Sequence, residues 1–249
     1  MRRLLVVLAV ACAGMAAWTA AAGGQKPTAK QVDPGSLLLR GRTLFAQGCA
    51  SCHDEDLRGR PGLGPNLRGA GAAAADFYLS TGRMPLANPT DEPTRNPPAY
   101  PKADIAALVA YVGSFGGTRI PRVDPSKADL PHGLEQFTER CAGCHQVVAK
   151  GGIVTGAAVP TLREATARQL AEAVRIGPYV MPRFSKKSLS DAQLDSIVRY
   201  VEYAKHPDDR GGWAIGHLGP IPEGLVTWLL GMTALVAVCI VIGKRLKSE

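Results

Sequence analysis

Two pentapeptides, CASCH (residues 49–53) and CAGCH (141–145), constrain this chain more than anything else in it. Each sets two cysteines three positions apart and follows the second at once with histidine. Thiols at that spacing can form a disulfide, hold zinc, run thiol–disulfide exchange or anchor a haem. The histidine decides among these. An exchange-active dithiol belongs to a βαβ pattern and needs no adjacent imidazole, and no such pattern surrounds either pair. A zinc ribbon draws four ligands from two close pairs, whereas these pairs lie more than ninety residues apart. A c-type haem uses the whole motif: both thiols add to its vinyl groups and the histidine bonds the iron from the same side. Cys49, Cys52, Cys141 and Cys144 therefore read as the covalent anchors of two haem c groups, with His53 and His145 as axial ligands.

The remaining cysteines, Cys12 and Cys239, lie in apolar ends, and those ends set the compartment. Met1-Arg2-Arg3 precedes an apolar run that exits through small residues, so residues 1–22 read as a signal peptide or an N-terminal signal anchor. Residues 225–242 carry no charge and no helical polar stripe, which predicts a transmembrane helix in lipid. Lys244, Arg245 and Lys247 follow it, placing the tail, 243–249, in the cytoplasm and the middle of the chain outside the cell membrane. The formal net charge of +8 comes with no basic run interleaved with aromatics, which excludes a nucleic-acid partner.

The middle of the chain is a repeat. G-x-x-x-F-x-x-x-C-A-x-C-H occurs from Gly41 and again from Gly133, with Phe45 and Phe137 at matched offsets. This predicts a helix that runs into each motif and uses its glycine to approach another helix. Further on, Ile105, Leu108, Val109, Tyr111 and Val112 align with Leu194, Ile197, Val198, Tyr200 and Val201. Their i, i+3, i+4, i+7 spacing predicts two amphipathic helices. Ser190 and Gln193 resemble a capping box for the second. Pro65 with Leu67 and Pro160 with Leu162 occupy matched loop positions, where a proline carbonyl could accept the imidazole N–H and fix the ring. The Gly-rich run 59–71 lacks the preceding strand that a phosphate cradle needs.

Only two methionines fall in this middle region, Met84 and Met181, and both stand before proline after a short helix. A lone loop methionine is ordinarily core filler. Two at equivalent places in a repeat instead read as the second axial ligands, since a thioether opposite histidine raises a haem's potential. The spacing is uneven: the second copy is longer between haem motif and methionine, and the first is longer afterwards, by the proline-rich stretch 87–101. That insert cannot be helical and predicts a surface excursion. Gly82 precedes Met84 by two residues while Gly177 precedes Met181 by four, so the loops are expected to close differently.

Each half resembles a class I cytochrome c domain, in residues 31–120 and 121–206, giving an all-α fold of two tandem domains. A linker (207–224) and the transmembrane helix follow. The stretches GPYVMPRFS (177–185) and GGWAIGHLGPIPEGLVTWLLGM (211–232) resemble the dihaem cytochrome c subunit of the actinobacterial menaquinol–cytochrome c reductase, the cytochrome bcc complex. The resemblance implies a membrane-anchored electron relay. Electrons would pass from a Rieske iron–sulfur subunit, beside a cytochrome b subunit, to a haem-copper oxidase, in the role of an electron-transfer subunit of a quinol–cytochrome c reductase. No separate catalytic set is legible: His132, His206 and His217 are scattered and read as surface or loop residues. The rival is a dihaem peroxidase or the cytochrome subunit of another exported dehydrogenase. A peroxidase requires an open iron position, and the two Met-Pro loops argue against one.

Overall fold

The computed structural model describes residues 33–154, 156–208 and 220–247, which are mostly helical. The expected signal segment with Cys12, most of the linker with His217, and the last two residues of the tail lie outside the described residues. In the first half, α1 (Pro34–Gly48) leads into the single-turn helix α2 (Ala50–His53), followed by α3 (Gly71–Ser80) and α4 (Lys102–Gly113). The second half repeats the order with α5 (Leu130–Arg140), α6 (Ala142–His145), α7 (Ala167–Ile176) and α8 (Asp191–Lys205).

Local chemistry sets these boundaries. The Asp129 carboxylate accepts the His132 amide at 2.7 Å. It starts α5 as its cap, with a proline in the first turn. Thr166 with Gln169, and Ser190 with Gln193, form full capping boxes on α7 and α8, the second as its sequence suggested. Gly177, at a φ of 63°, ends α7 in the left-handed conformation that glycine adopts without strain.

The two glycines of the repeat sit where helices cross. A Cβ on Gly41 would overlap the Ala107 carbonyl oxygen of α4, and one on Gly133 would overlap the Ser196 carbonyl of α8. With no side chain between them the helices approach closely, and aromatic pairs fill the flanks. Phe45 meets Tyr111 at 5.5 Å between ring centroids, and Phe137 meets Tyr200 at 5.1 Å. Phe45, Leu57, Ile105 and Leu108 anchor the first core; Phe137, Leu194, Val198 and Val201 anchor the second. Both expected apolar stripes are therefore core, except that Tyr111 is only half-buried.

One element departs from the all-helical expectation. Gly152–Val154 and Ala157–Val159 form a two-stranded antiparallel hairpin, pairing Gly152 with Val159 and Val154 with Ala157. It occupies the extra length between haem motif and methionine in the second half. Gly156 takes a positive φ of 80°, and with the β-branched Ile153, Val154 and Val159 it supplies the usual ingredients of a hairpin. The stretch 87–101 is free of helix and strand, as its prolines require.

The last helix, α9 (Pro220–Lys247), is a candidate membrane span. Residues Gly224–Leu246 have a mean hydropathy of 2.6, and the span is not covered by other parts of the protein. At about 1.5 Å per residue that stretch covers about 35 Å, enough for the ~30 Å hydrocarbon core of a bilayer.

The glycine crossings give a stability test. A methyl added at Gly133 meets backbone and not a movable side chain. Gly133→Ala should therefore cost about 1–3 kcal/mol by overpacking. At Gly143 an added side chain meets nothing within 4 Å, and Gly143→Ser copies Ser51 of the first motif. That change should alter stability by no more than about 0.5 kcal/mol. Denaturant unfolding of the two variants checks this, and equal costs would contradict the close-crossing explanation.

Candidate cofactor sites

The two haem motifs have the same backbone geometry. His53 N–H bonds the Cys49 carbonyl at 2.9 Å, and His145 N–H bonds the Cys141 carbonyl at 2.9 Å. One helical turn thus carries both cysteines and the histidine at i, i+3 and i+4, on one face. Each turn hangs from the buried aromatic ahead of it: Cys49 N–H bonds Phe45 O and Cys141 N–H bonds Phe137 O, both at 2.8 Å. The chain then reverses through Asp54 and Gln146, at φ of 61° and 60°.

The rings are oriented as the matched prolines suggested. His53 Nδ1 lies 2.9 Å from Pro65 O, and His145 Nδ1 lies 3.3 Å from Pro160 O. A carbonyl only accepts, so Nδ1 must carry the proton and Nε2 keeps its lone pair. Burial holds the His145 pKa below its ordinary value, opposed by the Pro160 carbonyl. This imidazole is neutral, the form a metal requires.

None of the four cysteines is in a disulfide. Burial pushes the Cys49 thiol up to about 11, helped by Cys52. Burial does the same to Cys141, also to about 11, with Arg140 opposing and Cys144 adding. A dithiol built for exchange has a depressed pKa, so the electrostatics here run the opposite way.

Each methionine joins the core of its own motif. Met84 packs with Cys49 against the Phe45 cluster, and Met181 packs with Cys141 against the Phe137 cluster. The loops that carry them close differently, as the glycine offsets implied. Met84 N–H and Arg83 N–H both bond the Tyr78 carbonyl, at 3.2 and 2.9 Å, and the Met84–Pro85 peptide is cis. Met181 N–H instead bonds Pro178 O at 3.0 Å, while Phe184 N–H returns to Val174 O at 2.9 Å.

Sequence reasoning missed Arg83. Its guanidinium stacks 4.9 Å over the Phe77 ring, and its Nη1 is buried with no hydrogen-bond partner. Burial lowers the Arg83 pKa, and nearby Arg95 adds to that. An orphaned cationic donor beside Met84 suits a ligand bearing carboxylates, as haem does. Together with paired thiols, a neutral imidazole and a thioether in one core, the donor set fits a c-type haem in each half. His132 is half-buried, with Nδ1 3.3 Å from Glu135 Oε2, and His206 is exposed beyond the end of α8. Neither belongs to a site.

Comparison with known proteins agrees with this geometry. The cytochrome c family profile matches residues 38–115, and the profile for cytochrome C oxidase, cbb3-type, subunit III matches residues 128–201. The cytochrome bc1 complex cytochrome c subunit of Mycobacterium tuberculosis is 38% identical over 220 residues, covering 84% of this chain and 79% of the relative. The subunit of the same name from Corynebacterium diphtheriae is 34% identical over 242 residues, covering 89% and 85%. A Cbb3-type cytochrome c oxidase subunit CcoP from Azospirillum sp. is 29% identical over 221 residues, covering 78% and 72%. The two cytochrome c domains indicate haem c binding.

The segment just past the second motif is pinned by Tyr200, whose hydroxyl donates to Val147 O at 2.7 Å. Tyr200→Phe keeps the ring and removes this bond, and should destabilise the protein by about 1 kcal/mol. Denaturant unfolding measures it; an unchanged midpoint would mean that the bond contributes nothing to holding the segment.

Proposed function

Because the chain belongs to the family of cytochrome bc1 complex cytochrome c subunits, we propose that it is a membrane-anchored dihaem relay. It would carry electrons from the Rieske centre of a menaquinol–cytochrome c reductase, beside that enzyme's cytochrome b subunit, to a haem-copper oxidase. In this reading domain one spans residues 31–120 and domain two 121–206. Cys49 and Cys52 hold the first haem covalently with His53 and Met84 on its iron. Cys141, Cys144, His145 and Met181 do the same for the second. The haem domains lie on the extracytoplasmic face, α9 anchors them in lipid, and the tail after it is cytoplasmic.

When bound, each haem supplies a one-electron iron couple whose potential a thioether ligand raises. The chain's own residues do the rest. Pro65 and Pro160 hold each imidazole in the tautomer that leaves Nε2 for the iron. Met84 and Met181 each pack, partly buried, against the core of their own half. Arg83 places a buried positive charge beside the first site. The observation that carries the proposal is the pairing of each C-x-x-C-H turn with a methionine in the same core. A haem held by histidine and methionine of this chain would pass electrons while leaving no iron position open to substrate.

The test uses Met84→Ala and Met181→Ala in the full-length chain within its complex. Each variant should keep its covalent haem and slow menaquinol-driven oxygen consumption. Each should also lower that haem's potential by on the order of 0.1 V, a fraction of the ~0.8 V that axial ligands command. Unchanged turnover in both single variants would falsify the relay.

A further inference from the structure

The two halves meet through α3 of the first and α7 of the second. The rim of this contact is polar and carries an ion pair, Arg95 Nε 3.6 Å from Glu164 Oε2. Gln169 Nε2 donates to Ser80 Oγ at 3.2 Å, and Arg95 Nη2, in the proline-rich insert, donates to Glu164 O at 2.9 Å and Gln169 Oε1 at 3.0 Å. Its centre is different. Arg168 reaches both sides, with Nη2 2.7 Å from Asp76 Oδ2 and Nε 3.2 Å from Glu172 Oε1. The Glu172 side chain is wholly buried and that of Asp76 is 13% exposed. One guanidinium thus faces two carboxyl groups, and Glu172 Oε2 is buried without any donor. An ionised oxygen left that way costs several kcal/mol on the order-of-magnitude scale of buried charges. A hydroxyl there, beside the Asp76 carboxylate, removes the conflict, as in other carboxyl pairs that hold one proton between them.

We propose that Asp76 and Glu172 share a single proton under Arg168, and that this protonated triad is the clamp that fixes the two haem domains to each other. Burial is the main reason Glu172 rises to about 8, with Asp76 adding and Arg168 opposing. The contact between Arg168 and Glu172 at neutral pH is therefore a hydrogen bond to a neutral acid. Other charged groups of the neighbouring elements are Lys102 and Asp104 on α4, Arg175 on α7 itself, paired with Asp191 of α8, and Asp195, Arg199, Glu202 and Lys205 on α8. None of these shifts Glu172. The sign follows: a carboxyl raised in the folded state gives its full stabilisation below its ordinary pKa, and here loses it as pH rises through about 8.

The clamp also positions the proposed ligands. α3 ends at Ser80, four residues before Met84, and α7 ends at Ile176, five before Met181. Any effect on electron transfer rests on the ligation proposed above; the clamp itself does not.

Hydrogen exchange of the α3 and α7 amides in the full-length, haem-loaded protein tests it, corrected for intrinsic exchange and with α5 as internal reference. Between about pH 6 and about pH 9.5 the wild type should lose protection by up to about a hundredfold, nearly all of it below about pH 8, where the opened form is ionised and the closed form is not. Glu172→Gln, permanently neutral, should show no such loss. Should that variant not fold, Asp76→Asn serves, because removing the second carboxylate leaves burial alone to hold Glu172 up, and the loss should then be complete at a lower pH than in the wild type. A wild type without the loss, or a variant that follows the wild type, overturns the clamp whatever the haems do.

Discussion

Two helix crossings without side chains between them underlie everything else in the haem domains. At Gly41 and Gly133 the helix leading into each motif lies directly on the backbone of a later helix. That approach seats Phe45 against Tyr111 and Phe137 against Tyr200, and the carbonyls of the two phenylalanines receive the first cysteine of each motif. The position of four thiols is thus set by two missing methyl groups. A larger residue at either glycine would push the motif away from the core that also holds its methionine.

From that frame the chemistry follows in short steps. A one-turn helix presents two thiols and an imidazole on one face. A proline carbonyl fixes the proton on Nδ1 and leaves the other nitrogen as a donor. A loop after a short helix brings a methionine into the same core. The two copies reach this end by different loops, one tied to Tyr78 and containing a cis proline bond, the other closed on Pro178. What the repeat preserves is the set of atoms around each site, while the path of the chain between them varies.

Much of this was legible in the sequence because it is local or periodic. The motif spacing, the glycine and phenylalanine offsets, the apolar stripes, the Ser190 capping box and the matched prolines each announce themselves within a few residues. The hairpin around Gly156 had its β-branched residues in view but was hidden by the helical repeat on either side. Arg83, Arg95 and the Asp76–Arg168–Glu172 group were not legible at all. Their significance depends on which face of one half meets which face of the other, and charged residues on short helices ordinarily read as solvated. A wholly buried glutamate opposite an aspartate becomes visible only when the two halves are laid together.

The family of cytochrome bc1 complex cytochrome c subunits supplies the setting, and the proposed ligand sets would let such a chain conduct electrons without converting a substrate. Spectroscopy of the purified full-length protein is the most direct measurement, combining a haem count after denaturation with the spin and ligation state of the oxidised irons. Two haems that stay attached, both low-spin and both giving the far-red charge-transfer band of methionine–iron bonding, are the predicted result. A haem that is lost on denaturation, or an iron that is predominantly high-spin, would contradict a relay sealed on both sides.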